Sequence, residues 1–253
     1  MNKVKTEIIS IINQKGGTGK TTTAINLGTA LASLKKKVLL IDLDPQANLT
    51  YSFGIDASLG TMVEVLQGKQ TIQTILVNRE GLDIAPSSIA LADIEISLVN
   101  KIGRESILKD RLKGLTNYDF IFIDSPPSLS ILTINALNAA DGVLIPLQME
   151  VLSLQGLAQL LNTAREVKKV LNNKLEIVGI IPSMYDNRRN LSEEILKELG
   201  KNIKEQVFKT IIRENVSIAE SPSFGKSVIS YAPESHGAED YMKLAREFLK
   251  EGG

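Results

Sequence analysis

"IISIINQKGGTGKTTTAINL", Ile8 to Leu27, is the stretch on which the fold turns. A short apolar run breaks into three glycines and two lysines, and then into threonines followed by apolar residues at helical spacing. A run this short suits a strand buried on both faces, as in a parallel sheet. A glycine-rich turn between such a strand and a helix exposes backbone N–H groups and the positive end of the helix dipole to an anion. The common phosphate-loop pattern is G-x-x-x-x-G-K-[ST]. Here it fails by one residue, because Gln14 stands where the first glycine belongs; what remains is K-G-G-x-G-K-T, Lys15 to Thr21. Gly16, Gly17, Thr18 and Gly19 supply the cradle. Lys20 can reach terminal phosphates, the Thr21 hydroxyl is placed for Mg²⁺ and Thr22 for an inner phosphate. One lysine suffices to hold a phosphate, so Lys15 needs a reason of its own.

Outward from the loop, similar apolar runs recur: "VLLID" (38–42), "LDIAP" (82–86), "FIFID" (120–124), "GVLIP" (142–146) and "EIVGIIP" (176–182). Between them lie helical patterns. "KTTTAINLGTALASLKKK" ends in lysines that suit a helix C-terminus, and "SLQGLAQLLNTAREVKKVLNN", "NLSEEILKELGKNIKEQV" and "GAEDYMKLAREFLKE" repeat apolar residues every three to four positions. Strands alternating with helices predict a doubly wound α/β fold, a mostly parallel sheet flanked by helices, of the P-loop NTPase kind. Residues 51–113 are less regular, with short helices expected at "TMVEVL" and "TIQTILV". They read as elaboration on a single domain spanning 1–253.

Composition narrows the function. Among 253 residues there is no cysteine and one histidine, His236. Thiolate zinc sites, cysteine-ligated clusters, a cysteine nucleophile and a multi-histidine metal site are thereby excluded. With 29 basic and 29 acidic residues, a polyanion would have to meet a local patch rather than a globally basic protein. No apolar run approaches the length of a membrane span, and a cytoplasmic, unprocessed protein is expected. His236 lies near Ser235 and Asp240, but neighbours in sequence at a helix entry do not make a hydrolase triad; a surface or capping role is expected.

Two of the runs end in aspartate: "LLIDLDPQANLT" carries Asp42 and Asp44, and "FIFIDSPPSL" carries Asp124. In a doubly wound sheet, ligands sit beyond the carboxyl ends of the strands. All three carboxylates therefore belong at the edge that holds the phosphate loop.

Together these stretches resemble the deviant Walker A ATPases, and within them the ParA/Soj branch of chromosome- and plasmid-partitioning proteins. The resemblance runs from Lys15 to the last helix. It implies that Lys15 reaches across an ATP-dependent homodimer to the partner's nucleotide, so that dimerisation becomes conditional on ATP. It also implies that Asp44 positions the attacking water, that Asp124 with Thr21 holds Mg²⁺, with Asp44 in the same metal environment, and that Asp42 is structural or supports those groups from behind. Slow ATP hydrolysis, accelerated by a ParB-like centromere-binding partner, follows from the same likeness. "IIPSMYDNRRNLSEE" and "TIIRENVSIAESPSFGKSV" resemble two further family stretches, with Ser183 where threonine is usual. Family adenine contacts come from the proline and asparagine of P-R-N; this chain has Arg213-Glu214-Asn215, so Asn215 and the Arg213 backbone are carried over.

Residues 165–213 hold eleven Lys/Arg against seven Asp/Glu, a local excess of four positive charges. With the resemblance, this implies non-specific double-stranded DNA binding by the ATP dimer and a nucleoid-associated protein, with Arg189, Lys201 and Arg213 as candidate contacts. No helix-turn-helix segment precedes the phosphate loop, so the short, non-repressor members are the expected kin. Two other readings share the ATPase motifs. A MinD-like membrane-cycling ATPase would use the last helix, where Tyr241, Leu244, Phe248 and Leu249 form an apolar stripe; such a stripe more often packs on a sheet. A positioning ATPase for a cargo other than DNA would use the same cycle. An iron-protein relative is ruled out by the missing cysteines.

Overall fold

The computed structural model describes residues 5–186, 193–196, 199 and 203–251. Its strands are β1 (Glu7–Ile11), β2 (Val38–Asp42), β3 (Val77–Arg79), β4 (Leu82–Ala85), β5 (Phe120–Asp124), β6 (Gly142–Gln148) and β7 (Glu176–Ser183). They form one seven-stranded sheet in the order β3-β4-β2-β5-β1-β6-β7. Six strands are parallel, and each grew from one of the apolar runs in the sequence. β3 is the exception. It pairs antiparallel with β4 across a two-residue turn, Glu80-Gly81, in which both residues have positive φ (50° and 78°). That backbone matches the twist of a tight hairpin. Three residues, two of them exposed, leave no apolar signature, and the helix expected over 71–77 is only a single turn at Ile72–Thr74 before the chain enters this strand.

The helices that bear on the site are α1 (Lys20–Ser33), α2 (Asn48–Ser52), α3 (Met62–Gln67), α4 (Leu91–Leu98), α5 (Ile107–Leu112), α6 (Ile131–Ala139) and α7 (Val151–Val170). Short helices Val216–Glu220 and Val228–Tyr231 precede a C-terminal helix, His236–Glu251. Strand side chains alternate between two cores. Val38 and Leu40 of β2 share a cluster with α1 and the C-terminal helix, whereas Leu39 and Ile41 share one with α3 to α6. Both faces of the sheet are covered, which is why the strands read as continuous rather than alternating apolar runs.

α1 lies against β2 so closely that a Cβ on Gly28 would sit 2.9 Å from Leu40 Cδ2. The helix stops at Ser33: Leu34 N–H closes on Ala30 and Leu31, and Lys35 turns left-handed (φ 66°). Lys35, Lys36 and Lys37 thus lie past the helix end instead of in its last turn, correcting the sequence expectation. The apolar stripe of the C-terminal helix is spent on the core. Tyr241, Leu244 and Phe248 are buried, and Phe248 meets Phe120 edge-on at 5.2 Å. Leu249 is partly buried against the same cluster, so the stripe packs on the sheet side of the helix. Among the described residues, no helix is long and apolar enough to cross a membrane.

Candidate functional site

The strand order decides the site. β5 lies between β2 and β1, and Asp42 and Asp124 are register partners at the last rung of the β2–β5 ladder. β1 exits beside them into the glycine loop, and β6 flanks β1 on its other side. Residues from four strand ends therefore meet at one sheet edge.

The loop is anchored at its start. Asn13 Nδ2 donates to the Pro146 carbonyl on β6 (2.7 Å), and Asn13 Oδ1 accepts from Lys15 N–H (3.0 Å). Gly17 and Gly19 adopt φ of 74° and 91°, which only glycine enters without strain. Gly19 is the N-cap of α1. It offers no side chain, and no acidic residue occupies the first turn, so the helix's leading N–H groups are left for a ligand. A Cβ built on Gly16, Gly17 or Gly19 would meet no protein atom within 4 Å, so the cradle is open space.

Lys20 is buried beside this cradle, its Nζ 3.4 Å from the Lys15 carbonyl. Burial pushes its pKa down, while Asp124 and Asp44 pull it back up. Thr21 Oγ1 donates to Asp124 Oδ2 at 2.6 Å. Asp124 is fully buried and its other oxygen, Oδ1, accepts nothing from the described residues. Burial, reinforced by the neighbouring Asp42, holds the Asp124 carboxyl well above the ordinary carboxylate range. An unmatched buried carboxylate oxygen next to a threonine hydroxyl is what a hard divalent cation compensates. The donor set therefore fits Mg²⁺ and the open cradle fits phosphate oxygens.

Asp44 lines the same cavity. Its Oδ1 accepts from Gln46 N–H (2.9 Å), and no described residue donates to its Oδ2. Asp42 points into the protein, accepting from Thr50 N–H (2.9 Å), Thr50 Oγ1 (2.7 Å) and Asp44 N–H (3.2 Å). Its burial pushes its pKa up to about 6. The structural role expected for Asp42 matches this geometry.

Next to the loop lies a cavity of about 560 Å³, lined by Gly19, Thr22, Glu150, Met184, Asn215 and Tyr241 among others, a volume suited to a small molecule. Thr22 borders both cavities. Asn215 Oδ1 caps the helix Val216–Glu220 by accepting from Ser217 N–H (2.9 Å). Its side-chain amide N–H groups take no acceptor among the described residues.

Two positively charged candidates sit differently from expectation. Lys15 does not extend from the protein: its Nζ forms an ion pair with Glu150 Oε2 at 2.6 Å and donates to Gln148 Oε1 at 3.2 Å. Gln148 ends β6 and Glu150 caps α7 in the same chain. Nothing local in the sequence links residues 15 and 150, so this pairing was not legible there.

Arg213 is tied into the C-terminal helix. Its guanidinium bonds Asp240 Oδ1 (2.6 Å), Asp240 Oδ2 (2.9 Å) and Glu239 Oε2 (3.0 Å), and its backbone N–H donates to Asp240 as well (3.1 Å). A proline at this position would lack that N–H. Within the chain, the two carboxylates match the Arg213 charge. Arg189 and Lys201 lie outside the described residues. Arg165 and Lys168 pair with Glu205 and Glu176, whereas exposed Lys169, Lys174, Lys204 and Lys209 make no ion pair among the described residues. His236 opens the C-terminal helix, 72% exposed, beside Glu239.

Comparison with known proteins shows the family. The family model described as "AAA domain" matches residues 6–177. The sporulation initiation inhibitor protein Soj of Bacillus subtilis is 48% identical over 97% of this chain and 99% of its own. The chromosome partitioning protein ParA of Myxococcus xanthus is 47% identical over 96% of this chain and 88% of its own. A Mycobacterium smegmatis structure described as cobyrinic acid a,c-diamide synthase with bound ADP and magnesium superposes with a TM-score of 0.86, at 35% identity, covering 98% of this chain and 95% of that one. Near full-length identity of this degree means that the chain belongs to the ParA/Soj family of partitioning ATPases.

Proposed function

We propose that the protein binds ATP with Mg²⁺ at the glycine loop, dimerises on it through Lys15, holds double-stranded DNA as the dimer, and releases it after hydrolysis stimulated by a ParB-like partner. The observation that carries the reading is the buried, unmatched Asp124 Oδ1 beside Thr21 and an open glycine cradle. Lys20 and the free N–H groups of α1 bind the phosphates. Thr21 and Asp124 hold the metal, which supplies charge neutralisation on the phosphate oxygens. Asp44, whose Oδ2 takes no donor among the described residues, orients water toward the terminal phosphate. Thr22, the Arg213 backbone and Asn215 border the nucleoside cavity, where the Asn215 amide can donate to the base. Phosphoryl transfer asks mainly for such positioning and charge neutralisation.

For DNA, the exposed, unmatched Lys169, Lys174, Lys204 and Lys209, together with Arg189 and Lys201, are the contacts we favour. Contacts to phosphates alone carry no sequence preference. The test is DNA binding measured with ATP, with ADP and with neither, using Asp44→Ala to block turnover. Binding that requires ATP is expected. DNA binding indifferent to nucleotide, or liposome binding in place of DNA binding, would overturn the reading.

A further inference from the structure

We propose that Thr50 and Ser87 are positioning residues that fix Asp44 for hydrolysis. The inference rests on the reading of Asp44 as the group that orients water. It starts from a turn that the chain does not hold easily. Ala47, three residues after Asp44, has φ 52°, a left-handed conformation that costs a residue with a Cβ about 1–2 kcal/mol. Strain of this kind persists where surrounding contacts over-determine the backbone, and here they are visible. Asp44 N–H donates to Asp42 Oδ1 (3.2 Å), and the Asp44 carbonyl accepts from Ala47 N–H (2.9 Å) and from Ser87 Oγ (3.0 Å).

Ser87 comes from a different part of the chain, just after β4. It reaches Asp44 with its hydroxyl and donates its own N–H to Thr50 Oγ1 at 2.8 Å. Thr50, in α2, passes the connection on, since its N–H and hydroxyl both go to Asp42 Oδ2. The result is a closed circuit, Asp44–Ser87–Thr50–Asp42–Asp44, whose members are all buried. Thr50 uses its hydroxyl as donor and as acceptor at once, a combination valine cannot supply and serine can. Asp44 Oδ2, the oxygen with no donor among the described residues, is thereby aimed by a backbone gripped by the end of its own strand, through Asp42, and by the segment after β4, through Ser87. Neither Thr50 nor Ser87 lines the phosphate-loop cavity with Asp44, so their effect is exerted through Asp44.

Misplacing a reacting group by about 1 Å costs on the order of 100-fold in rate, and loss of one clamp on the Asp44 carbonyl should allow a part of that. The experiment measures single-turnover ATP hydrolysis, ATP affinity and thermal midpoint on the full chain, for wild type, Ser87→Ala, Thr50→Val, Thr50→Ser and Asp44→Ala. Ser87→Ala should lose about tenfold in hydrolysis rate with ATP affinity kept within about twofold. Thr50→Val should lose at least as much, and Thr50→Ser should recover most of the rate. If Thr50→Val does not fold, Ser87→Ala carries the test. Wild-type hydrolysis by Ser87→Ala, while Asp44→Ala is inactive, overturns the positioning role alone. A rate loss matched by an equal loss of ATP affinity also overturns it, because the residues would then be merely structural. Full turnover by Asp44→Ala removes the role of Asp44 itself and the proposal with it.

Discussion

Lys15 is held by its own chain, and that contact predicts how dimerisation responds to a single substitution. If Lys15 must reach a partner's nucleotide, the Lys15–Glu150 pair has to open in each protomer. Both side chains are about two-fifths exposed, 44% and 40%, so solvent screens the pair. Exposed ion pairs are worth about 0.2–1 kcal/mol. A symmetric dimer opens two of them, which raises the cost to about 0.4–2 kcal/mol, or about 2- to 30-fold in dimer dissociation constant. Glu150→Gln keeps the shape and removes the charge that holds the lysine. In the hydrolysis-blocked Asp44→Ala background with ATP and magnesium, sedimentation should therefore show the Glu150→Gln dimer tighter by that factor. Lys15→Ala should fail to dimerise. A Glu150→Gln dimer no tighter than its parent would refute the claim that this contact restrains Lys15. Normal dimerisation of Lys15→Ala would refute the cross-subunit role.

Arg213→Ala should destabilise the protein by about 3 kcal/mol in urea unfolding, because it leaves Asp240, whose side chain is 5% exposed, without its countercharge; pairing the change with Asp240→Asn should recover most of the loss. Lys204→Ala with Lys209→Ala should lower the slope of log DNA affinity against log salt by about 2 while leaving ATP-dependent dimerisation intact, and an unchanged slope would remove these lysines from the DNA face. Asp124→Asn should abolish magnesium-dependent ATP binding yet raise the thermal midpoint of the nucleotide-free protein, because the buried carboxyl resists ionisation. Hydrogen bonds from Lys243, Arg213 and His236 hold the Glu239 carboxyl down to about 2. A depressed carboxylate contributes stability above its unfolded value of 4.5, and that stability is lost as pH falls toward 2. Glu239→Gln should flatten the stability curve in that window, read by thermal unfolding across pH.

How much of this was written in the sequence depends on distance along the chain. The glycine loop was legible because its conformation is local: Gly17 and Gly19 need positive φ, and Lys20 and Thr21 follow at fixed offsets on one helix start. Asp42, Asp44 and Asp124 were legible because a strand end is visible as an apolar run that stops. β3 was not, since three residues with two exposed carry no period. Glu150, Ser87 and Asp240 were not, because each acts on a residue tens of positions away or more.

The sequence by itself determined the parallel sheet, through apolar runs that only burial on both faces explains, and the anion site, through local backbone chemistry. Tertiary structure alone decided which charges are free. Lys15 and Arg213 read alike as available cations, but chain closure brings Glu150 to one and Asp240 to the other. A charge is cancelled by what stands near it in space, and strand order, not sequence spacing, sets that neighbour.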